Sequence, residues 1–159
     1  MNIQKCARLS MFTGIAIILN ILESFIPFFN IPGLKIGLAN VIIVTVLYLY
    51  GFKEASYVSI LRVIIVGILR TGIFSTTFLF SLAGCIVSIF VMGIMKKTNL
   101  FSVLGVSVLG SIFHNLGQIG MAMLLLKNTH IYVILLVLLI ASIITGIVIG
   151  MISKILINI

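Results

Sequence analysis

The sequence has no Asp and no Trp, and only two Pro, two Cys and two His among its 159 residues; its acidic complement is two Glu. Without Asp, neither an aspartate-rich magnesium motif for a diphosphate nor an Asp-based Walker B strand can form, and no Gly-rich loop ending in Gly-Lys-Ser/Thr is present. The chain is therefore expected to be neither an ATPase nor a self-sufficient diphosphate-metal enzyme. The two His, two Cys and two Glu lie on separate segments, with no His-x-x-x-His or Cys-x-x-Cys spacing, so neither a metal site nor a cofactor is expected. Cys6 and Cys85 fall at the start of the first apolar stretch and in the middle of the fourth, and read as small packing residues rather than a disulfide. Charge itself is scarce: 8% of residues, where a soluble domain carries about 25%. With 62% hydrophobic residues and a mean hydropathy of +1.44, the apolar surface exceeds what one core of this size can hide. Lipid must cover the remainder.

What is present is a set of long uncharged runs. Residues 71–95, 98–126 and 128–153 contain no charge, and shorter clean runs cover 9–22 and 36–52. A hydrocarbon layer about 30 Å thick needs about 20 apolar residues of helix, and these runs do not alternate with a period of two, which argues against a β-barrel. The expected fold is an all-α integral membrane protein, one transmembrane domain over 1–159, with six spans at roughly 9–27, 36–51, 55–69, 74–95, 100–126 and 131–157. The first stretch follows Lys5 and Arg8 like a signal peptide, but it is long, holds Glu23 and lacks a small-x-small cleavage site, so it is expected to be retained. An inside amino terminus places Lys5, Arg8, Lys53, Lys96, Lys97 and Lys154 inside and Lys35, Arg70 and Lys127 outside, which predicts a multi-pass protein of the cytoplasmic membrane with both termini cytoplasmic. The net charge of +8 is spread singly between spans, so no nucleic-acid partner is expected.

Polar groups interrupt this pattern at a few places. Both prolines fall in the segment 27–40, whose missing N–H donors and glycines break the helical ladder at the outer end of the first span. It is either a connecting loop or a lid over a cavity, with Lys35 at its tip and Asn40 opening the next helix. In the fifth span His114 and Gln118 share a helical face, with Asn115 adjoining; such a group either fixes helix packing or reads a ligand. Glu23 and Arg62 are intramembrane charges that a mutual pair would neutralise, Arg62 otherwise serving as an internal strut. Arg70 joins Lys35 in making the outer face attractive to an anionic ligand. Small residues recur at helix-packing spacing, Ser10 with Gly14 and Ser142 with Gly146 and Gly150, suited either to packing within the chain or to docking another membrane subunit.

The segments Ile31–Asn40, Tyr50–Ala55, Ser59–Arg62, Phe78–Gly84 and Gly105–Gln118 together resemble, in order and over nearly the whole chain, the membrane proteins labelled heptaprenyl diphosphate synthase component I, also called the Gx transporter family. That family in turn is similar to the substrate-binding S components of energy-coupling factor (ECF) vitamin importers. The resemblance implies six helices, an outward-opening ligand cavity, and a small-residue ridge on the first helix, matched here loosely by Ser10 and Gly14, that docks a transmembrane coupling subunit served by two ATPases. It also implies a rival role, that of a noncatalytic partner of a prenyl diphosphate synthase in menaquinone side-chain synthesis. A solitary gradient-driven carrier titrating Glu23 or His114 is a third reading. The expectation carried forward is a noncatalytic S-component-like subunit for a small vitamin-like or isoprenoid/quinone-precursor ligand, bound by Lys35, Asn40, Arg70, His114, Asn115 and Gln118 between the lid and the outer halves of the last three helices.

Overall fold

A computed structural model describes residues 3–23, 25, 37–126 and 132–158. Among the described residues the chain forms six α-helices and no strand: α1 Ile3–Glu23, α2 Leu38–Tyr50, α3 Phe52–Val66, α4 Thr76–Thr98, α5 Val103–Leu126 and α6 Tyr132–Asn158, with a π-helical turn at Gly67–Thr71. Four of them, α1, α4, α5 and α6, are long and apolar enough to cross a membrane. Their outward faces are apolar, with Leu136 68%, Ile144 60% and Ile155 62% exposed, an inside-out surface that water disfavours and acyl chains cover.

The helix boundaries differ from the hydropathy reading where backbone chemistry outweighs apolar character. The first helix spans 3–23 rather than 9–27: it begins among polar residues and ends at Glu23, with Phe25 already in a turn. The third begins at Phe52 rather than 55, because Gly51, at φ 104°, turns the chain sharply enough for α2 and α3 to follow one another with a single residue between them. At the start of α4, the Ser75 hydroxyl accepts from Phe78 N–H at 3.1 Å, and Asn99 in the left-handed region ends the helix.

α2 is the most deeply buried helix of the bundle. Val41 through Leu47 are buried without a break, the mark of a helix apolar on every side and enclosed by others. At 13 residues it is about 20 Å long, an apolar helix shorter than the four long ones. Its neighbours form a ring in which α2 touches α3, α3 touches α4, α4 packs along α5, α5 along α6, and α6 returns to α2; α1 lies on α2 and α3.

Small residues bring α4, α5 and α6 close. A Cβ on Gly84 would stand 2.7 Å from the His114 carbonyl oxygen, and one on Gly146 would stand 2.6 Å from Val108 Cα. Hydroxyls stitch the same seams: Ser88 donates to Gly110 O at 2.8 Å and Ser107 to Gly146 O at 2.8 Å. The ridge of Ser142, Gly146 and Gly150 is thus spent on packing α6 against α5 inside the chain. At the other end of the bundle, Lys5 meets Glu54 at 2.5 Å, and Lys96 Nζ donates to Leu47 O at 2.6 Å. These contacts place the start of α1, the α2–α3 turn and the end of α4 at one level.

Candidate functional site

A polar cavity opens where the upper ends of α1, α3 and α2 meet the middle of α5 and α6 and the start of α4. It encloses about 740 Å³ of empty space counted with its mouth, of which about 60 Å³ admits the centre of a water-sized molecule. At roughly 10–15 Å³ per water, that is room for a few waters or the polar head of a small ligand. For a chain this apolar the lining is exceptional: Glu23 from α1, Asn40 from α2, Arg62 from α3, and His114, Asn115 and Gln118 from α5 all face it.

The local reasons for each position are legible. Gly37, at φ 80°, starts α2 in a conformation that side chains avoid, and its N–H donates to the Glu23 carboxylate across the break between α1 and α2. Asn40 N–H donates to Gly37 O at 2.7 Å, closing the first turn of α2. Its side-chain oxygen then accepts from Arg62 Nη1 at 3.1 Å, tying α2 to α3. Arg62 and Glu23 are each 4% exposed. Both charges predicted at membrane depth therefore line one cavity, linked through Gly37 and Asn40, and Arg62 forms part of its wall while tying α3 to α2.

On the far wall, α5 crowds against α4 so tightly that Gly84 and Gly117 face each other's helices without room for a side chain. This brings His114 and Gln118 onto the cavity surface. Asn115 lines it as well, yet its side-chain nitrogen donates to Ser142 Oγ at 2.6 Å and Leu138 O at 3.3 Å, so half of its hydrogen-bonding capacity holds α6.

Asn40, His114, Asn115 and Gln118 are thus brought together. Arg70 is not: it is exposed, its guanidinium 4.8 Å from the centre of the Phe25 ring, outside the lining. Lys35, with the lid expected over 27–36, lies outside the described residues. Ser10 is exposed and a Cβ on Gly14 would meet nothing within 4 Å, so this short ridge faces away from the cavity. The site also draws on more of the chain than the last three helices, since α1, α2 and α3 supply Glu23, Asn40 and Arg62. Sequence reasoning missed Asn20, Thr77, Ser81, Ser111 and Thr145, which complete the polar part of the lining. Their signal, single polar residues within apolar runs, is the same as that of the hydroxyls used only for packing.

Against known proteins, the family model described as heptaprenyl diphosphate synthase component I matches residues 12–156. No curated protein and no solved structure matches the chain at a significant level.

Proposed function

The chain belongs to the heptaprenyl diphosphate synthase component I family, and from that premise we propose that it is a noncatalytic, ligand-binding membrane subunit. Its six helices act as six spans in the cytoplasmic membrane, with both termini inside. A small ligand enters the polar cavity from the outer side, and Asn40, Arg62, His114, Asn115 and Gln118 read its polar atoms, with Arg70 and Lys35 attracting it from the rim. Transport follows when a coupling subunit, docked in part on the Ser10 and Gly14 face of α1 and driven by two ATPases, reorients the bundle, as in ECF importers. An energy source in trans is needed because alternating access against a gradient requires one.

The observation that carries this reading is the cavity itself. Burying Glu23 and Arg62 beside three hydrogen-bonding residues of α5 is costly in a membrane, where each polar group must find a partner. A scaffold for a soluble partner enzyme gains nothing from that expense, whereas a receptor for a polar ligand requires it.

The description of the matched family favours a second reading, a noncatalytic component I that accompanies a catalytic prenyl transferase chain. Purification of the tagged protein from native membranes in mild detergent, with mass spectrometry of what stays attached, separates the two. Two ATPases and a membrane coupling subunit are expected. Recovery of a prenyl synthase chain without ATPases overturns the importer reading in favour of the second. Recovery of neither, with uptake abolished in Glu23→Gln, identifies a solitary carrier.

A further inference from the structure

We propose that the ligand bound in the cavity is a small monoanionic carboxylate, gripped by two parallel hydrogen bonds on the Nε–Nη2 edge of Arg62; this deepens, and rests on, the reading of the cavity as a ligand site. Arg62 is 4% exposed, lines the cavity, and donates from Nη1 to Asn40 Oδ1 at 3.1 Å. Its buried Nε makes no hydrogen bond among the described residues. An arginine keeps its charge when buried, and a guanidinium donor left unmet away from water is a standing cost that an arriving acceptor removes.

The geometry says which acceptor. Asn40 engages Nη1, and Asn40 is itself fixed at the first turn of α2 through Gly37. What Asn40 leaves whole is the side edge of the guanidinium, where Nε–H and one Nη2–H point the same way at the spacing of two oxygens on one carbon or phosphorus. Glu23 then discriminates between these acids. Its carboxylate lines the same cavity and repels each added negative charge, of which a carboxylate brings one and a phosphate dianion two. In a poorly solvated space the second uncompensated charge is the expensive one. A cavity of about 60 Å³ also holds only a few heavy atoms around the anionic head.

The test uses acetate as the probe, with phosphate and chloride at matched ionic strength, added to the purified full-length protein in lipid nanodiscs. Two readouts are followed: the unfolding temperature, and the 15Nε–1H resonance of Arg62, which the burial of Arg62 and the exposure of Arg8 and Arg70 set apart by slow exchange with water. Acetate is expected to raise the unfolding temperature and to shift that resonance saturably, and Arg62→Lys, which keeps the charge and loses the fork, to weaken acetate about tenfold or more. An acetate response no larger than that of chloride, or a phosphate response as large as that of acetate, overturns the proposal. Should Arg62→Lys fail to fold, the wild-type resonance decides alone. Coupling partners recovered without an acetate response would overturn the carboxylate and spare the importer reading; an acetate response without coupling partners would support the carboxylate and remove the importer.

Discussion

At the scale of single residues, the structure separates groups that the sequence presents alike. His114, Asn115 and Gln118 form one polar cluster in the sequence, but Asn115 is also a strut, donating to Ser142 and Leu138 of α6. Asn115→Leu is expected to cost about 1–2 kcal/mol of stability, the worth of interhelical hydrogen bonds in a membrane, seen as a lower unfolding temperature in detergent. Gln118→Ala is expected to leave the unfolding temperature within error while weakening ligand binding, and a fall equal to that of Asn115→Leu would show that Gln118 too is structural. Outside the membrane, the Lys5 ammonium donating to Glu54 holds that carboxyl below its ordinary range, helped by its own backbone N–H. A depressed carboxyl contributes stability that is present above its unfolded value, about 4.3, and is lost as pH falls through the lower folded value. Acidification should therefore lower the unfolding temperature of the wild type more steeply than that of Glu54→Gln, by an amount matching about 1 kcal/mol or less for a half-buried surface pair. Parallel curves would mean that the pair contributes nothing. The cluster on α5 was legible because polar residues four apart in an apolar run must share a face. The joining of Glu23, Asn40 and Arg62 was legible only in part, since sequence can pair opposite charges but cannot show that hydrogen bonds through Gly37 and Asn40 link them.

Among the elements, glycines on different helices do opposite things. Gly84 on α4 leaves no space for a methyl group against the His114 backbone, whereas a methyl on Gly14 of α1 would meet nothing. Gly84→Ala is expected to push α4 from α5, costing about 1–3 kcal/mol and widening the cavity wall that carries His114 and Gln118. Gly14→Ala is expected to be neutral or to stabilise by up to about 1 kcal/mol, because only helix propensity changes. Thermal unfolding of both variants in the same detergent checks the contrast, and equal losses would refute the packing described for α4 and α5. If α1 docks a coupling subunit, Gly14→Leu should keep the fold and ligand binding but lose the co-purifying subunit. The sequence marked Ser10 with Gly14 and Ser142 with Gly146 and Gly150 by spacing alone, which is identical in the two cases, and did not mark Gly84; only the neighbours tell a seam from an open face. It placed the long helices α4, α5 and α6 well, because charges and turn residues bracket them. It extended the first helix past Glu23, because Phe25 and the residues after it are as apolar as a span, and apolar character does not record where the backbone turns.

For the whole molecule, the distribution of charge and the architecture argue for one orientation. Lys5 is bound to Glu54 at the α2–α3 turn, next to Lys53, and Lys96 reaches the last turn of α2, next to Lys97. Four lysines from three parts of the chain thus gather at the end where α1 begins, while the cavity and Arg70 lie toward the other. Basic residues are retained on the cytoplasmic side during insertion, so the cavity is expected to open outward, as a receptor for an external ligand requires. In a chain with Cys6 and Cys85 replaced by Ala, Arg70→Cys should react with a membrane-impermeant thiol reagent on intact cells, whereas Lys97→Cys should react only after the membrane is opened. Both positions are at helix ends, where water reaches a thiol, so a null result from burial is avoided. The reverse pattern would put the cavity on the cytoplasmic side, where it could not take up an external ligand, and the importer reading would fall while the accessory role beside a cytoplasmic synthase would gain.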